Sequence, residues 1–486
     1  MAKIETIVFL SLVLDLFAFT IPLPLFPRII EWYTVRETGD PSGFLSRTLQ
    51  FVSGVRSILF KPGANSKKWD VVLLGGLMGS LFSTLQWLVS PRIGALSDKY
   101  GRKRILLLTM AGNILSAVIW IQSTSFASYM LSRAVGGLSE GNVQLAIAII
   151  SDITTPANRG KALAHVGIAF AICFIIGPPI GAYFATRPLP PALTAGGMEL
   201  NIYAAPAFLT LVLLTAETLF LALALPETRG RVMKSSPPNG HANGHAANGV
   251  ANGNGHAKEQ PKPKLTREED IDRRINILRT LRAIHFMFLG IFSGVEFTLT
   301  FLTFDLLDWS NKQNGYLIGF IGVISAVLQG GYVRRAIPKV GEGAMARRGV
   351  MSCAIALVLL AIMPHFVANY SSEAIRLLQT AAVFLAFTSA TVVNSLTSFA
   401  SLQCDESVDA DTGKTQVEHP ALAKGKALGE FRSSGQLGRA IGPLLACASY
   451  WTAGPSITYS VSAIAMFALT LSMRRTIAPS KRVATK

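Results

Sequence analysis

Seven ionisable side chains interrupt long apolar stretches of the chain: Asp15, Arg133, Glu140, Glu217, Glu296, Arg432 and Arg439. A charge at mid-bilayer costs about 2.5–3.5 kcal/mol on insertion scales, so each calls for a partner or a function. Carboxyls withdrawn from water can gain and lose a proton near neutrality. Asp15, Glu296 and Glu140 are therefore candidates for proton coupling, the first two at comparable places in the two halves of the chain. Arg133 and Glu140 are seven residues apart, two turns along one helix face, so they either pair with each other or act on a passing solute. Asn142 and Gln144 extend this polar stripe. Glu217 has no evident partner, which suits a place near an interface. Arg432 and Arg439 are also seven apart on one face. Two guanidiniums cannot neutralise each other: they need acids, for which Glu296 and Asp15 are candidates, or an anion held bidentately. Gly435 and Gly438 between them let a substrate or another helix approach the backbone.

These residues need helices to hold them. Half of the 486 residues are hydrophobic, 15% are charged, and mean hydropathy is +0.42. Uncharged stretches of about 20 residues, the length that spans a bilayer core, recur along the chain. Twelve spans are predicted: 5–27, 71–92, 104–122, 127–150, 162–186, 202–225, 283–305, 315–337, 349–367, 376–399, 427–450 and 456–473. Trp32, Trp69, Trp120, Trp309 and Trp451 fall at their ends, where indole favours the membrane interface. No cleavable leader is expected, because the first apolar run has an acid in its middle. The net charge of +17 invites a nucleic-acid reading that its distribution rejects. With both termini cytoplasmic, 32 of the 45 Lys and Arg lie on the cytoplasmic side, 10 opposite and three inside helices. Seven of those 10 sit in one long loop, 28–69, in which Pro41-Ser42-Gly43 marks a turn. The bias is a topology signal.

The chain also repeats itself. Arg159-Gly160-Lys161-Ala162-Leu163 runs on to Ile176-Gly177-Pro178, and Lys424-Gly425-Lys426-Ala427-Leu428 to Ile441-Gly442-Pro443, each match displaced by 265 residues. Two membrane halves folded alike are the implication. At this offset Gly167 and Phe174 stand where Arg432 and Arg439 stand in the second copy. The division expected is 1–225 and 283–473 for the two six-helix bundles, 226–282 for a linker and 474–486 for a basic tail. The middle of the linker, Pro237 to Ala257, is rich in Gly, Asn and His and reads as disordered, with His241, His245 and His256 solvated rather than metal ligands. Thr266 and Glu269 make a capping-box start for an amphipathic surface helix with Ile271, Ile275, Leu278 and Leu281 at helical spacing. Cys173, Cys353, Cys404 and Cys447 show neither metal-ligand spacing nor a disulfide framework and read as packing residues. Asn369-Tyr370-Ser371 is a glycosylation sequon on the outer side.

Between the second and third spans runs Gly94-Ala95-Leu96-Ser97-Asp98-Lys99-Tyr100-Gly101-Arg102-Lys103-Arg104. Its glycines permit a tight turn, its cations hold it at the cytoplasmic face, and Asp98 is placed to pair with a cation or a helix end. This stretch closely resembles the signature of the major facilitator superfamily, G-x-L-x-D-x-x-G-R-[KR], with Gly94, Leu96, Asp98, Gly101, Arg102 and Lys103 at every position. Arg133 with Gly137 looks like the second signature of that family. Gly177, Pro178 and Gly181 look like the G-P-x-x-G motif of its drug/proton antiporters, with Gly442 and Pro443 as counterparts, and Leu225-Pro226-Glu227-Thr228 is a common ending for the sixth helix. The first half is similar to tetracycline/proton antiporters in Asp15, Pro24, Pro27, Gln86 and Asp152-Ile153-Thr154. The second half, in Gly294 to Leu302 and in Phe431 to Pro443, is similar to eukaryotic tetracycline-transporter-like proteins. There are departures. The loop from Gly331 through Arg334-Arg335 to Gly341 lacks the aspartate of the signature, and the acids that bacterial antiporters carry in their third and ninth helices are missing.

The resemblance implies an all-α integral membrane protein, twelve transmembrane helices in two pseudo-symmetric six-helix bundles that rock about a midplane site. It implies secondary transport of a small organic solute, with proton-coupled efflux of an amphipathic organic anion or drug-like compound as the preferred form. A facilitative uniporter, an anion exchanger and a non-transporting receptor or scaffold are the alternatives. The substrate-binding candidates are Arg439, Arg432, Arg133, Gln86, Asn142 and Gln144. A monomer in the lipid bilayer is expected, in the plasma membrane or an organelle membrane such as the vacuole, using no cofactor and no metal. No phosphate-binding loop is present, so an enzyme is not expected.

Overall fold

The computed structural model describes residues 4–37, 39–59, 66–185, 187, 199–230, 266–309, 311–367, 371–404 and 419–476. The sequon at Asn369, the centre of the linker and the basic tail lie outside them. The described residues form helices: α1 (Ile4–Thr20), α2 (Phe26–Arg36), α3 (Phe44–Leu59), α4 (Ser66–Tyr100), α5 (Arg102–Ile121), α6 (Phe126–Ser139), α7 (Asn142–Ile153), α8 (Pro156–Ala185) and α9 (Ala204–Ala224). After the linker come α10 (Arg267–Leu307), α11 (Asn311–Val327), a π-helical turn (Leu328–Val333), α12 (Arg334–Val340), α13 (Glu342–Ile362), α14 (Ser371–Gln403), α15 (Lys424–Ala453) and α16 (Pro455–Thr476). Among the described residues ten helical segments are long and apolar enough to cross a membrane. They are the predicted spans other than the second and the eleventh. α4 has the length, although the side chains of its first turns lie outside the described residues. α15 has the length too, but carries Glu430, Arg432, Arg439 and many small polar residues.

Two predicted spans are broken. The fourth is divided at Glu140, which has extended backbone (φ −72°, ψ 98°), followed by Gly141 at φ −131°. A Cβ on Gly141 would press on Ile93 and Thr109, so the break also brings this corner close to α4 and α5. The eighth passes through the π-helical turn, which contains Gly330-Gly331, where the missing side chains weaken the α-helical register. The seventh is longer than predicted. The Thr266–Glu269 capping box is present, and the amphipathic lead continues without interruption into the membrane helix as α10. The long loop also needs correction. It contains α2 and α3, whose Ile29, Ile30, Tyr33, Leu45 and Val52 bury a core with Leu74, Met78, Phe126, Tyr129 and Tyr203. The predicted turn between them is real, with Asp40 accepting from the Ser42 N–H at 3.0 Å. Trp120 is part of this core at 1% exposure rather than an interfacial anchor.

One large apolar cluster draws on α10 and α13–α16, and another on α1, α5 and α7–α9. The second contains members of the first sequence half, and the first contains members of the second half together with Ala148 of α7. The closest helix pairs are α15 with α4 and α15 with α10, so the most polar long helix is wedged between one helix of each half. Small residues make this possible: a Cβ on Gly429 would meet the Ser90 carbonyl at 2.6 Å, and one on Gly438 the Phe286 carbonyl at 2.6 Å.

Candidate functional site and family membership

The Gly-Pro elements explain how the site helices approach each other. Gly442 lies so close to α10 that a Cβ would overlap the Gly290 carbonyl. Its counterpart Gly177 lies against Thr20 of α1, and Gly181 against the Ile21 carbonyl. In both halves the glycine lets the motif helix close on the first helix of its own bundle. Pro91 inside α4 has a different effect. It lacks the N–H that the Trp87 carbonyl would accept, and Ser433 of α15 donates to that carbonyl instead at 2.7 Å.

At the end of the molecule bearing the basic loops, the halves are tied together. Asp98 accepts the N–H groups of Gly425 (2.9 Å) and Lys426 (2.7 Å) at the start of α15, and pairs with Arg102 at 2.7 Å. The two anticipated partners, a cation and a helix end, are thus used together. Gly94 is a close-approach position, since a Cβ there would overlap the Gly425 carbonyl. Arg102 also pairs with Asp152 at 2.9 Å. Gly101 takes φ +102°, which favours glycine, and abuts Glu227. Burial pushes the Glu227 carboxyl up, but backbone N–H groups of Arg229, Arg102, Lys103 and Thr228 outweigh that and hold it below the usual range. Leu96 faces outward. Arg159 and Lys424, equivalent at the 265-residue offset, each cross to the other half. Arg159 donates to Ser401 O (3.3 Å) as well as to Ser151 O and Thr154 O, while Lys424 stands 3.6 Å from Asp152.

Deeper in the first half lies a cavity of about 50 Å³, room for a few waters, lined by Asp15, Asn113, Arg133, Glu140 and Thr210 among others. Asn142 donates to Asp15 at 2.6 Å and accepts from Thr109 at 3.1 Å, which fixes its amide and the Asp15 carboxyl together. The ion pair between Arg133 and Glu140, one of the two readings of their spacing, does not form. α6 ends at Ser139, so the two leave the shared face. Arg133 lies 5.9 Å from the Phe82 ring, 6.0 Å from Trp120 and 5.9 Å from Tyr129, with its Nε unpartnered. Glu140 faces Asn113 and the field of Arg432.

Arg432 of the second half is within electrostatic reach of Glu140 and Asp15, and Arg439 within reach of Glu296 of α10. Among the described residues neither arginine makes a direct ion pair. Glu296 and Arg439 are exposed although the residues beside them in sequence, Val295, Gly438 and Ala440, are buried. Gln86 is buried. Gln144 donates to Ser90 O at 3.0 Å and so braces α7 on α4, while its Oε1 has no hydrogen-bond partner among the described residues. Other polar residues escaped attention in the sequence. Gln329, within the π-turn, and Asn394 both crowd the face of Gly167, and buried His285 stacks on Phe431 at 4.2 Å while bonding its carbonyl at 3.0 Å. Their only signal was polarity inside an apolar run. Glu217 is not at an interface: it is 1% exposed, inside the first bundle. The four cysteines are free and buried, as packing residues are.

The family model described as "Major Facilitator Superfamily" matches residues 8–410. The chain belongs to the major facilitator superfamily. It is 33% identical to the bovine (Bos taurus) "Major facilitator superfamily domain-containing protein 10" over 99% of this chain and 94% of the relative. The human (Homo sapiens) protein of that name is 32% identical over 94% and 90%. A class H tetracycline resistance protein of Pasteurella multocida is 33% identical over 22% of this chain and 26% of its own length. The crystal structure of "the human organic anion transporter MFSD10 (TETRAN)" agrees with a TM-score of 0.73 at 29% identity, covering 97% of this chain and 98% of that one. The proton:xylose symporter XylE shares the fold, with a TM-score of 0.61 at 12% identity over 97% of this chain and 94% of that one. This member of the major facilitator superfamily is a multi-pass membrane transporter of the tetracycline-transporter-like kind, and not an enzyme.

Proposed function

We propose that the chain exports an amphipathic organic anion or drug-like compound in exchange for protons, by alternating access between two bundles at residues 1–225 and 283–473. Arg432 and Arg439 carry this reading: two guanidiniums on one face of α15, without a direct ion pair among the described residues and with acids near each. An anion bound between them supplies the charge that the protein holds at a distance. Asp15, Glu140 and Glu296 are the proton-coupling groups of this scheme, and Asn142 sets the orientation of Asp15. The relatives support it in kind, since one is described as an organic anion transporter and another confers tetracycline resistance. The positive-inside bias supports a cytoplasmic side for both termini and for the tied end. A monomer in the plasma membrane or an organelle membrane completes the reading.

The test is uptake of radiolabelled p-aminohippurate, an organic anion, into vesicles containing the purified protein under an imposed pH gradient. Arg439→Ala removes a charge-assisted contact worth about 1.5–3 kcal/mol, and is expected to weaken anion affinity roughly 10–100-fold. If dissipating the gradient leaves flux unchanged and Asp15→Asn is silent, proton antiport fails and a uniporter or an anion exchanger takes its place.

A further inference from the structure

Helix α9 packs against α1 and α5, and its Thr210 and Leu214 line the small polar cavity. Glu217 comes seven residues after Thr210 and three after Leu214, so it continues the same face of the helix. It is buried, with Oε2 lacking any hydrogen-bond partner. The charged groups whose fields reach it are Asp15 on α1 and Glu140 at the break after α6, both acids. The cations nearby are otherwise engaged: Arg133 among three aromatic rings, Arg432 before Asp15 and Glu140, and Lys103 on the Ala222 carbonyl at 2.7 Å, more than a turn farther along α9. Among the described residues a third carboxylate anion here meets no counter-charge.

We propose that Glu217 is a proton site, a neutral carboxylic acid behind Asp15 that exchanges its proton with Asp15 through the cavity. The inference rests on the proton-coupled reading above and adds a second storage group on α9. In the transfer the O–H bond of Glu217 breaks and its electron pair stays on the carboxylate. The proton joins a cavity water, which passes one of its own to a carboxylate oxygen of Asp15. One proton moves and one negative charge moves the opposite way, with no redox partner. Arg432 belongs to the other half, so rocking the bundles changes the charge facing Asp15 and sets the direction of transfer.

The first test needs no substrate. Infrared difference spectra of the full-length protein in lipid nanodiscs at neutral pH, wild type minus Glu217→Gln, are expected to show loss of a carboxylic-acid C=O stretch. Loss of carboxylate stretches instead overturns the proposal. The second uses vesicles with an internal pH dye and p-aminohippurate as the probe. Glu217→Gln should keep anion exchange at equal pH yet lose proton movement, with Glu217→Asp restoring it. Equal loss of exchange and proton movement indicates a structural role and overturns the proposal, as does proton movement unaltered from wild type. If the wild type moves no protons, the antiport reading falls by itself, because the infrared band still decides the state of Glu217.

Discussion

Asp98 is a meeting point of the two halves. Two backbone N–H groups of α15 and the Arg102 guanidinium converge on it. Hydrogen bonds to a charged group are worth about 1.5–3 kcal/mol each, so Asp98→Asn should shift the tied state roughly 10–100-fold toward separation at that face. Spin labels replacing Lys99 and Lys426 should report a longer distance distribution in the variant; an unchanged distribution sinks the assignment. The type of residue and its two classes of partner were legible in the sequence. The fate of Arg133 was not. An i, i+7 spacing implies a shared face only while the helix continues, and the backbone departs from it at Glu140. The partner of Gln144 was not legible either: it is a carbonyl of another helix, which side-chain patterns do not reveal.

The order of the long apolar helices was legible because apolar length is written locally. Their ends and interruptions were less so, since the π-turn and the bend at Gly141 depend on which neighbours fit against exposed backbone. α2 and α3 were missed because their composition is mixed, and only the buried half of each face counts. At this scale the glycines separate cleanly. Gly442→Val should place a branched side chain into the α10 backbone, and overpacking of this kind costs typically 1–3 kcal/mol or more. Gly319→Ala in α11, where a Cβ meets nothing within 4 Å, should be neutral or stabilising by about 0.5–1 kcal/mol. Thermal unfolding of the detergent-purified variants checks the contrast, and equal melting temperatures refute it.

For the whole molecule, the repeat announced two halves, and the structure adds how they are joined. Arg159 and Lys424 occupy equivalent places and each reaches the opposite half, a reciprocity that the 265-residue offset contained but did not display. Nothing in that latch requires the centre of the linker. Deleting residues 237–257 should therefore leave p-aminohippurate flux unchanged, while a scaffold that works through the linker would lose its function. Vesicle flux measured with and without the deletion decides between them. The wedging of α15 between α4 and α10 also bears on how the protein is made. With its arginines and small polar residues, α15 is a poor candidate to enter lipid by itself. It leaves the ribosome after both partners, about 120 residues behind the end of α10. At ~5–20 residues per second that is an interval of roughly 6–24 s, during which a polar-lined slot stands vacant in the half-built bundle. A late-made helix thus enters protein rather than lipid, with α16 still to follow, and variants that narrow the slot should be cleared by quality control before they ever reach a transport assay.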